Sequence, residues 1–282
     1  MNDAVLPAST RLGTLQLNVR DHAALAGFYQ ERLGLRLHGQ DAGSSRLGCG
    51  GADFLQLIQD PAAVEAGRHA KLYHFCLAVE RRADLGWWLR RLLDGGVDPQ
   101  GLVDHRMAEA VYLQDPEGNG IELNCDRPRD QWRPWSEWLA MGNAPLDIPG
   151  LLAANEAAGP RAQAPADTRV GHVHLHVGDL AASLAFYLAL GLEQTAEVPG
   201  QAIFTAAGGY HHHVAFNVWA GRGVTPQPRG AYGLRRASFV APAEALPEAL
   251  ARLQAAGFSA ELAAEGVLTR DPSGHAWLLR AA

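Results

Sequence analysis

The chain has 282 residues, of which 48% are hydrophobic and 19% are charged, and its formal net charge is −6 at pH 7. This length is sufficient for about two domains with sizeable cores. The negative charge argues against a nucleic-acid partner, which would require clustered Lys and Arg, and no apolar stretch approaches the length that spans a membrane.

The cysteines and the N-terminal residues indicate the compartment. Cys49, Cys76 and Cys125 are scattered, without the regular spacing of a disulfide framework or a zinc site. The first residues, MNDAVLPASTRLG, lack a cationic patch followed by an apolar run, so they do not predict a signal peptide. We therefore expect a cytoplasmic protein.

One pattern occurs four times along the chain. RLGTLQLNVRDHAALAGFYQERLGLRL, which begins at Arg11, and VGHVHLHVGDLAASLAFYLALGLEQT, which begins at Val170, share an alternating strand, an Asp that can cap a helix, an amphipathic helix containing Phe-Tyr and a Gly that can end it. Two further segments repeat the pattern more loosely, and strand-like runs with Gly turns follow each helix. The sequence thus predicts four βαβββ modules, at 10–60, 70–126, 168–222 and 230–281.

A segment of different composition separates modules 2 and 3. Its start carries Trp132, Trp135 and Trp138 and predicts a packed arm, whereas its Ala- and Pro-rich end predicts a linker. The expected organisation is modules 1 and 2 at 10–126, the arm and linker at 127–167, and modules 3 and 4 at 168–281.

Alternation along the first strands assigns their two faces. In module 3 the apolar face of HVHLHV leaves three histidines on the opposite face: His172, His174 and His176. A polar inner face suggests a hydrated concavity. Four such modules resemble the vicinal-oxygen-chelate superfamily, and the resemblance covers most of the chain apart from 127–167. It implies an α+β fold in which the modules pair into two curved-sheet cups, one of which holds a metal.

In that superfamily the ligands are the residue that begins a module's first strand and a carboxylate on its last strand. Module 2 offers His74 in YHF and Glu122 in GIEL, and module 3 offers His172 in GHV. Pairing modules 2 and 3 gathers all three residues, so we predict this pairing for the metal cup, although a cup formed between two chains would satisfy the same ligand count. Two imidazoles and one carboxylate suit non-haem Fe(II), with Mn(II) as the alternative.

Modules 1 and 4 offer no comparable ligands. The corresponding positions hold Thr14, Arg236 and Trp277, and module 1 has no clear carboxylate on its last strand. These modules are therefore expected to form a metal-free structural half.

VDHRMAEAVYLQDPEGNGIE, residues 103–122, is similar to the sequence pattern of extradiol ring-cleavage dioxygenases. Residue by residue, the resemblance implies that Glu122 binds iron and that His105 and Tyr112 lie beside the metal. HHHVAF in module 3 is similar to the segment that carries the acid–base histidine of that family, which favours His212 and leaves His213 as the alternative.

The overall layout most resembles the catechol 2,3-dioxygenase type. This resemblance implies an Fe(II)-dependent dioxygenase of aromatic catabolism whose partners are a catechol-type molecule and O2, and it is compatible with a homo-oligomer. Tyr112 would hydrogen-bond the catechol, His105 would orient it, and His212 would transfer protons.

Two other functions share the fold. A glyoxalase-type metal-dependent isomerase or lyase would need a second carboxylate, and HHHVAFNVW shows none at the corresponding end. A non-catalytic small-molecule binder would need no metal triad. Four further histidines are expected to face solvent: His22, His38, His69 and His275.

Overall fold

The four modules each fold as one strand, one helix and three strands, as the repeats predict. The computed structural model describes residues 5–228 and 230–282, so the first four residues of the N-terminal segment lie outside the described part. Module 1 comprises β1 (Arg11–Val19), α1 (His22–Leu33), β2 (Arg36–Gln40), β3 (Ser44–Gly48) and β4 (Asp53–Gln59). Module 2 comprises β5 (Leu72–Val79), α2 (Arg82–Asp94), β6 (Gly101–Asp104), β7 (Ala108–Gln114) and β8 (Gly120–Asp126).

The two C-terminal modules have the same order of elements. Module 3 comprises β10 (Arg169–His176), α5 (Leu180–Leu190), β11 (Glu193–Val198), β12 (Ala202–Ala206) and β13 (Val214–Asn217). Module 4 comprises β14 (Gly233–Ala241), α6 (Ala245–Ala255), β15 (Ala260–Ala263), β16 (Gly266–Arg270) and β17 (Ala276–Ala281). None of the helices in the described residues is long and apolar enough to span a membrane.

The segment between modules 2 and 3 has secondary structure of its own. It comprises a short 3₁₀ turn (Arg129–Gln131), α3 (Trp135–Met141), β9 (Ala144–Pro145) and α4 (Ile148–Ala158). Trp138 is buried against Met107 and Ala108, and Trp132 and Trp135 pack on the same cluster. The three tryptophans therefore attach the segment to the strand that begins at Ala108.

The helices α1 and α5 begin and end at the residues expected from the repeats. The side chain of Asp21 accepts hydrogen bonds from the first turn of α1, and Asp179 caps α5 in the same way. Gly34 follows α1 with φ 68° and Gly191 follows α5 with φ 109°, left-handed conformations that glycine adopts most readily.

Strands from all four modules form two mixed sheets. One sheet has nine strands in the order β11-β12-β13-β10-β5-β8-β7-β6-β9, and the other has eight in the order β15-β16-β17-β14-β1-β4-β3-β2. Module 2 thus shares a sheet with module 3, and module 1 with module 4, as the ligand positions predicted. In the three pairs β5–β8, β10–β13 and β14–β17, a module's first strand lies parallel to its last.

The described residues divide into two compact units. One comprises residues up to 20, 60–73 and 172–282, and the other comprises 21–59 and 74–171. The core of the first contains two stacked ring pairs, Tyr187–Phe216 and Phe239–Trp277. The boundary after residue 171 falls inside β10, so this strand contributes residues to both units.

The unit formed by 21–59 and 74–171 has its own aromatic core. Trp88 and Phe75 are fully buried there, and the ring centroid of Tyr29 lies 6.5 Å from that of Phe75. The indole of Trp88 donates to the Leu33 carbonyl at 2.9 Å, which joins the end of α1 to the middle of α2. The buried indole N–H is satisfied by this bond.

Candidate metal centre

Three metal-ligating side chains converge within the nine-stranded sheet. His74, Glu122 and His172 each offer a ligand atom, and these atoms all lie within 4.8 Å of one another. The three residues are buried, with exposed fractions of 7%, 3% and 1%. His74 Nε2 lies 3.1 Å from Glu122 Oε2.

Strand register explains how residues distant in sequence meet. In the parallel pair β5–β8, Cys76 lies opposite Glu122, and His74 is two residues before Cys76 on the same face of the strand. His172 lies on β10, the neighbour of β5 in the sheet. Asn124, two residues after Glu122 and therefore on its face, donates from Nδ2 to Glu122 Oε1 at 3.3 Å.

The chemistry of this donor set fits a metal cofactor. A buried carboxylate carries a large desolvation cost unless a cation or hydrogen bonds compensate it. A divalent ion among His74, Glu122 and His172 would balance that charge and accept both imidazoles as neutral ligands. Among the described residues, this is the one group of three His, Cys, Asp or Glu side chains close enough to hold an ion.

His105 and Tyr112 lie together beside this group. His105 Nε2 is 2.8 Å from the Tyr112 hydroxyl, and the ring centroids of Tyr112 and His74 are 5.6 Å apart. The other ring nitrogen of His105 is 2.9 Å from Asn143 Oδ1. Asn143 immediately precedes β9, whose Ala144 pairs with Asp104 of β6 and so brings the amide to His105.

The three consecutive histidines of module 3 occupy different environments. The His212 ring lies 4.1 Å from that of His172 between centroids, and its Nδ1 is 2.8 Å from His211 Nδ1. His213 instead accepts the Ala207 N–H at 3.2 Å and is buried. Of the two acid–base candidates, His212 is therefore the one whose ring lies against His172.

Asn217, at the end of β13, organises the remaining histidines of β10. Its Nδ2 lies 2.8 Å from His174 Nε2, and its Oδ1 lies 2.7 Å from His176 Nδ1. The same Oδ1 accepts the backbone N–H of Trp219 at 2.9 Å. Asn217 is fully buried.

The motifs and repeats of the sequence point to neither Asn143 nor Asn217 as a site residue. Asn217 nevertheless stands at the end of HHHVAFNVW, the position at which a carboxylate ligand would stand, and this position is the signal by which it could be found. Asn143 is 38 residues beyond His105, and no spacing or periodicity connects the two.

In modules 1 and 4, the residues at the positions that correspond to the predicted ligands form structural contacts. The Thr14 backbone N–H donates to Ser238 Oγ at 2.7 Å. Arg236 forms an ion pair with Glu265, and Trp277 stacks on Phe239.

Comparison with known proteins identifies the fold and a close relative. A family model described as the Glyoxalase/Bleomycin resistance protein/Dioxygenase superfamily matches residues 11–123 and 169–279. A Bacillus subtilis (strain 168) protein named Catechol-2,3-dioxygenase is 36% identical over 278 residues, which cover 95% of this chain and 96% of that protein.

Solved structures show a similar fold at low sequence identity. A Bacillus subtilis protein provisionally described as a dioxygenase aligns with a TM-score of 0.67 and 14% identity, over 96% of this chain and 84% of that one. Glyoxalase I from Zea mays aligns with a TM-score of 0.59 and 17% identity, over 97% and 92%. At such identities the likeness concerns the fold alone.

Proposed function

Because the chain belongs to the glyoxalase, bleomycin resistance protein and dioxygenase superfamily, we propose that it is an Fe(II)-dependent extradiol dioxygenase that cleaves a catechol-type ring with O2. The observation that carries this proposal is the buried group of His74, Glu122 and His172. The 36% identical relative named Catechol-2,3-dioxygenase supports the same reaction class.

The donor set favours iron over other metals. Two imidazoles and one carboxylate on one side of an ion leave open positions for substrates, which is the arrangement of non-haem Fe(II) oxygenases; Mn(II) accepts similar ligands. Bound there, Fe(II) would supply the redox chemistry that joins a catechol to O2. The chain's own residues must then hold the catechol in place and control its protons.

Tyr112 and His105 are placed to position the catechol. The Tyr112 ring contacts that of the ligand His74, so its hydroxyl oxygen can accept a hydrogen bond from a catechol hydroxyl held at the metal. His105 is hydrogen-bonded to the same hydroxyl and fixes its direction. Because the hydroxyl is oriented before the substrate binds, its own conformational freedom is not lost when the catechol reaches a reactive position.

His212 is the residue we assign to proton transfer. Its ring lies against His172 and is half-buried, so it can reach both a molecule bound at the metal and solvent. Imidazole is suited to taking a proton from the catechol hydroxyl and returning it during ring opening.

The glyoxalase-type alternative requires a further carboxylate ligand. In module 3 the end of the last strand carries Asn217, whose side chain is engaged by His174 and His176. An amide held in this way is a poor substitute for a charged ligand, so the donor set supports the dioxygenase.

We also propose a reducing cytoplasm as the working compartment. All three cysteines are free and buried. A homo-oligomer stays a prediction.

The proposal is tested by loading the protein with Fe(II) under anaerobic conditions and adding catechol in air. A yellow ring-fission product is expected, with activity and bound iron both lost in Glu122→Gln and His172→Ala. The control is His38→Ala, since His38 pairs with Asp53 away from the metal group. No product from catechol or its alkyl and halo derivatives would overturn the proposal, and so would full iron binding by His172→Ala.

A further inference from the structure

A row of aromatic and imidazole rings runs from the ligand His172 to the protein surface. The His212 ring lies 4.1 Å from His172 and 5.1 Å from Phe204, measured between ring centroids. His174 is 6.1 Å from Phe204 and 5.3 Å from Trp219. The row therefore begins at a residue that is 1% exposed and ends at a tryptophan that is 51% exposed.

The outer end of the row forms a corner of three rings. Tyr73 stands nearly perpendicular to Trp219, at 85° and 5.4 Å, and to His174, at 89° and 5.2 Å. Tyr73 is 43% exposed, so two large aromatic side chains face solvent together. Rings that meet at right angles offer a face and an edge at once, which are the surfaces that a third flat ring contacts favourably.

The corner is held in place by hydrogen bonds to neighbouring residues. Asn217 accepts the backbone N–H of Trp219 and contacts the ring nitrogens of His174 and His176. Arg68 Nε donates to the Ala220 carbonyl at 2.7 Å, which fixes the turn after Trp219. A corner ordered before binding loses little conformational entropy when a ligand arrives.

The distance of the corner from the metal group indicates which part of a bound molecule it can contact. His174 follows His172 by two residues on the same strand face, which places it roughly 7 Å further along β10. A molecule anchored through two oxygens at the metal would therefore reach the corner only with a substituent that extends beyond the first ring.

We propose that Tyr73, His174 and Trp219 form a subsite for a flat aromatic substituent on the catechol, such as a phenyl group. The inference rests on the proposed function and narrows its substrate class to aryl-substituted catechols. Exposed aromatic pairs also serve as contacts between copies of a chain. The continuity of the row with the ligand His172 favours the substrate instead.

The test is anaerobic calorimetric titration of the Fe(II)-loaded protein with catechol and with a phenyl-substituted catechol. Trp219→Ala and Tyr73→Ala are each expected to weaken binding of the phenyl derivative by about tenfold, since one aromatic contact is worth roughly that ratio. Binding of unsubstituted catechol should change by less than about twofold, and Trp219→Phe should retain most of the affinity. Leu188→Ala is the matched control, because this residue is 46% exposed and lies on α5.

Equal changes for both ligands, or no change for either, would overturn the subsite. So would a size-exclusion shift from dimer to monomer in Trp219→Ala with unaltered binding, which would assign the corner to self-association. Turnover in air is measured in parallel. Selective binding of the phenyl derivative without ring cleavage would contradict the proposed reaction and support the subsite. Ring cleavage without selective binding would support the proposed reaction and contradict the subsite.

Discussion

The ring of His105 is held at both nitrogens, by Asn143 on one side and by Tyr112 on the other. With the amide oxygen as acceptor, Nδ1 carries the proton, and Nε2 accepts the Tyr112 hydroxyl. The direction of that hydroxyl thus depends on Asn143, which acts through the imidazole of His105. Neighbours of this kind commonly orient the groups around a metal.

We expect Asn143→Ala to lower kcat for catechol by about fivefold, because a lost hydrogen bond of about 1 kcal/mol leaves His105 free to turn. Asn143→Asp keeps an acceptor and should retain most of the activity. Steady-state kinetics of the iron-loaded enzyme give kcat and KM separately. Equal loss in the Ala and Asp variants with unchanged iron content would contradict a positioning role through the acceptor.

Two buried thiols make the free energy of unfolding depend on pH in the alkaline range. Burial raises the pKa of Cys49 to about 11 and that of Cys125 to about 12. Below the ordinary thiol pKa of about 8.5, the folded and unfolded states are both protonated. Above it the unfolded state ionises first, so it holds fewer protons and stability falls as pH rises.

We therefore expect the free energy of unfolding to decrease between pH 8 and pH 9.5, by as much as about 1.4 kcal/mol per pH unit for each thiol. Urea denaturation at several pH values measures this slope. The double variant Cys49→Ala, Cys125→Ala should show a shallower slope. An identical slope in the variant would exclude the thiols as its origin.

Sequence patterns identify residues whose position follows from the alternation of a strand. They miss residues whose position depends on contacts with distant parts of the chain. His74, Glu122 and His172 could be placed on one face because each lies on a strand of fixed period. The expectation that His22 and His275 face solvent is wrong, since both are buried. His275 Nδ1 pairs with Asp271 Oδ2 at 2.8 Å inside a turn, and solitary histidines carry no periodic signal that reveals such a partner.

At the scale of elements, helix α1 shows how local sequence and packing combine at a helix end. Gly34 ends the helix in the left-handed region, with φ 68°. A Cβ there would also lie 2.5 Å from the Trp87 ring and 3.0 Å from the Ala164 backbone nitrogen. Gly27, inside the same helix, has open space around the position of a Cβ.

Gly34→Ala is expected to destabilise the protein by about 1–3 kcal/mol, because alanine must adopt a strained backbone against a crowded neighbour. The matched variant Gly27→Ala should stabilise it by about 0.5–1 kcal/mol through helix propensity. Urea denaturation monitored by circular dichroism compares the two. Equal effects of the same sign would show that conformation at Gly34 does not control this helix end.

At the scale of the whole molecule, the pairing of modules differs between sheets and helices. The sheets combine modules 2 with 3 and 1 with 4. The helices of the modules instead pack on those of the module next in sequence, α1 against α2 and α5 against α6. Sheet pairing could be predicted because ligand positions require it, whereas nothing in the amphipathic pattern of a helix specifies which neighbour it contacts.

Ser238 joins β14 to β1 where their ladder is irregular. The register shifts between Leu12 and Leu15, and Ser238 Oγ there accepts the Thr14 N–H and donates to the Thr14 carbonyl. The side chain thus replaces ladder hydrogen bonds that the irregularity removes. Buried backbone groups left without such partners are costly.

We expect Ser238→Ala to lower the free energy of unfolding by about 1–3 kcal/mol, since it removes both hydrogen bonds between the Ser238 hydroxyl and the Thr14 backbone. Ser183→Ala is the control, because the buried Ser183 hydroxyl has no hydrogen-bond partner among the described residues and its loss should be neutral or slightly stabilising. Urea unfolding followed by tryptophan fluorescence measures both. Similar destabilisation by the two substitutions would assign the effect to lost volume.

The contact between Thr14 and Ser238 joins residues 224 positions apart, and this separation has a consequence during synthesis. At ribosomal rates, roughly ten to forty seconds pass between the appearance of β1 and that of β14. Throughout that interval the hydrogen-bonding edge of β1 lacks its final partner, and open edges readily pair with other chains. We therefore expect the nascent chain to depend on chaperones until module 4 leaves the ribosome.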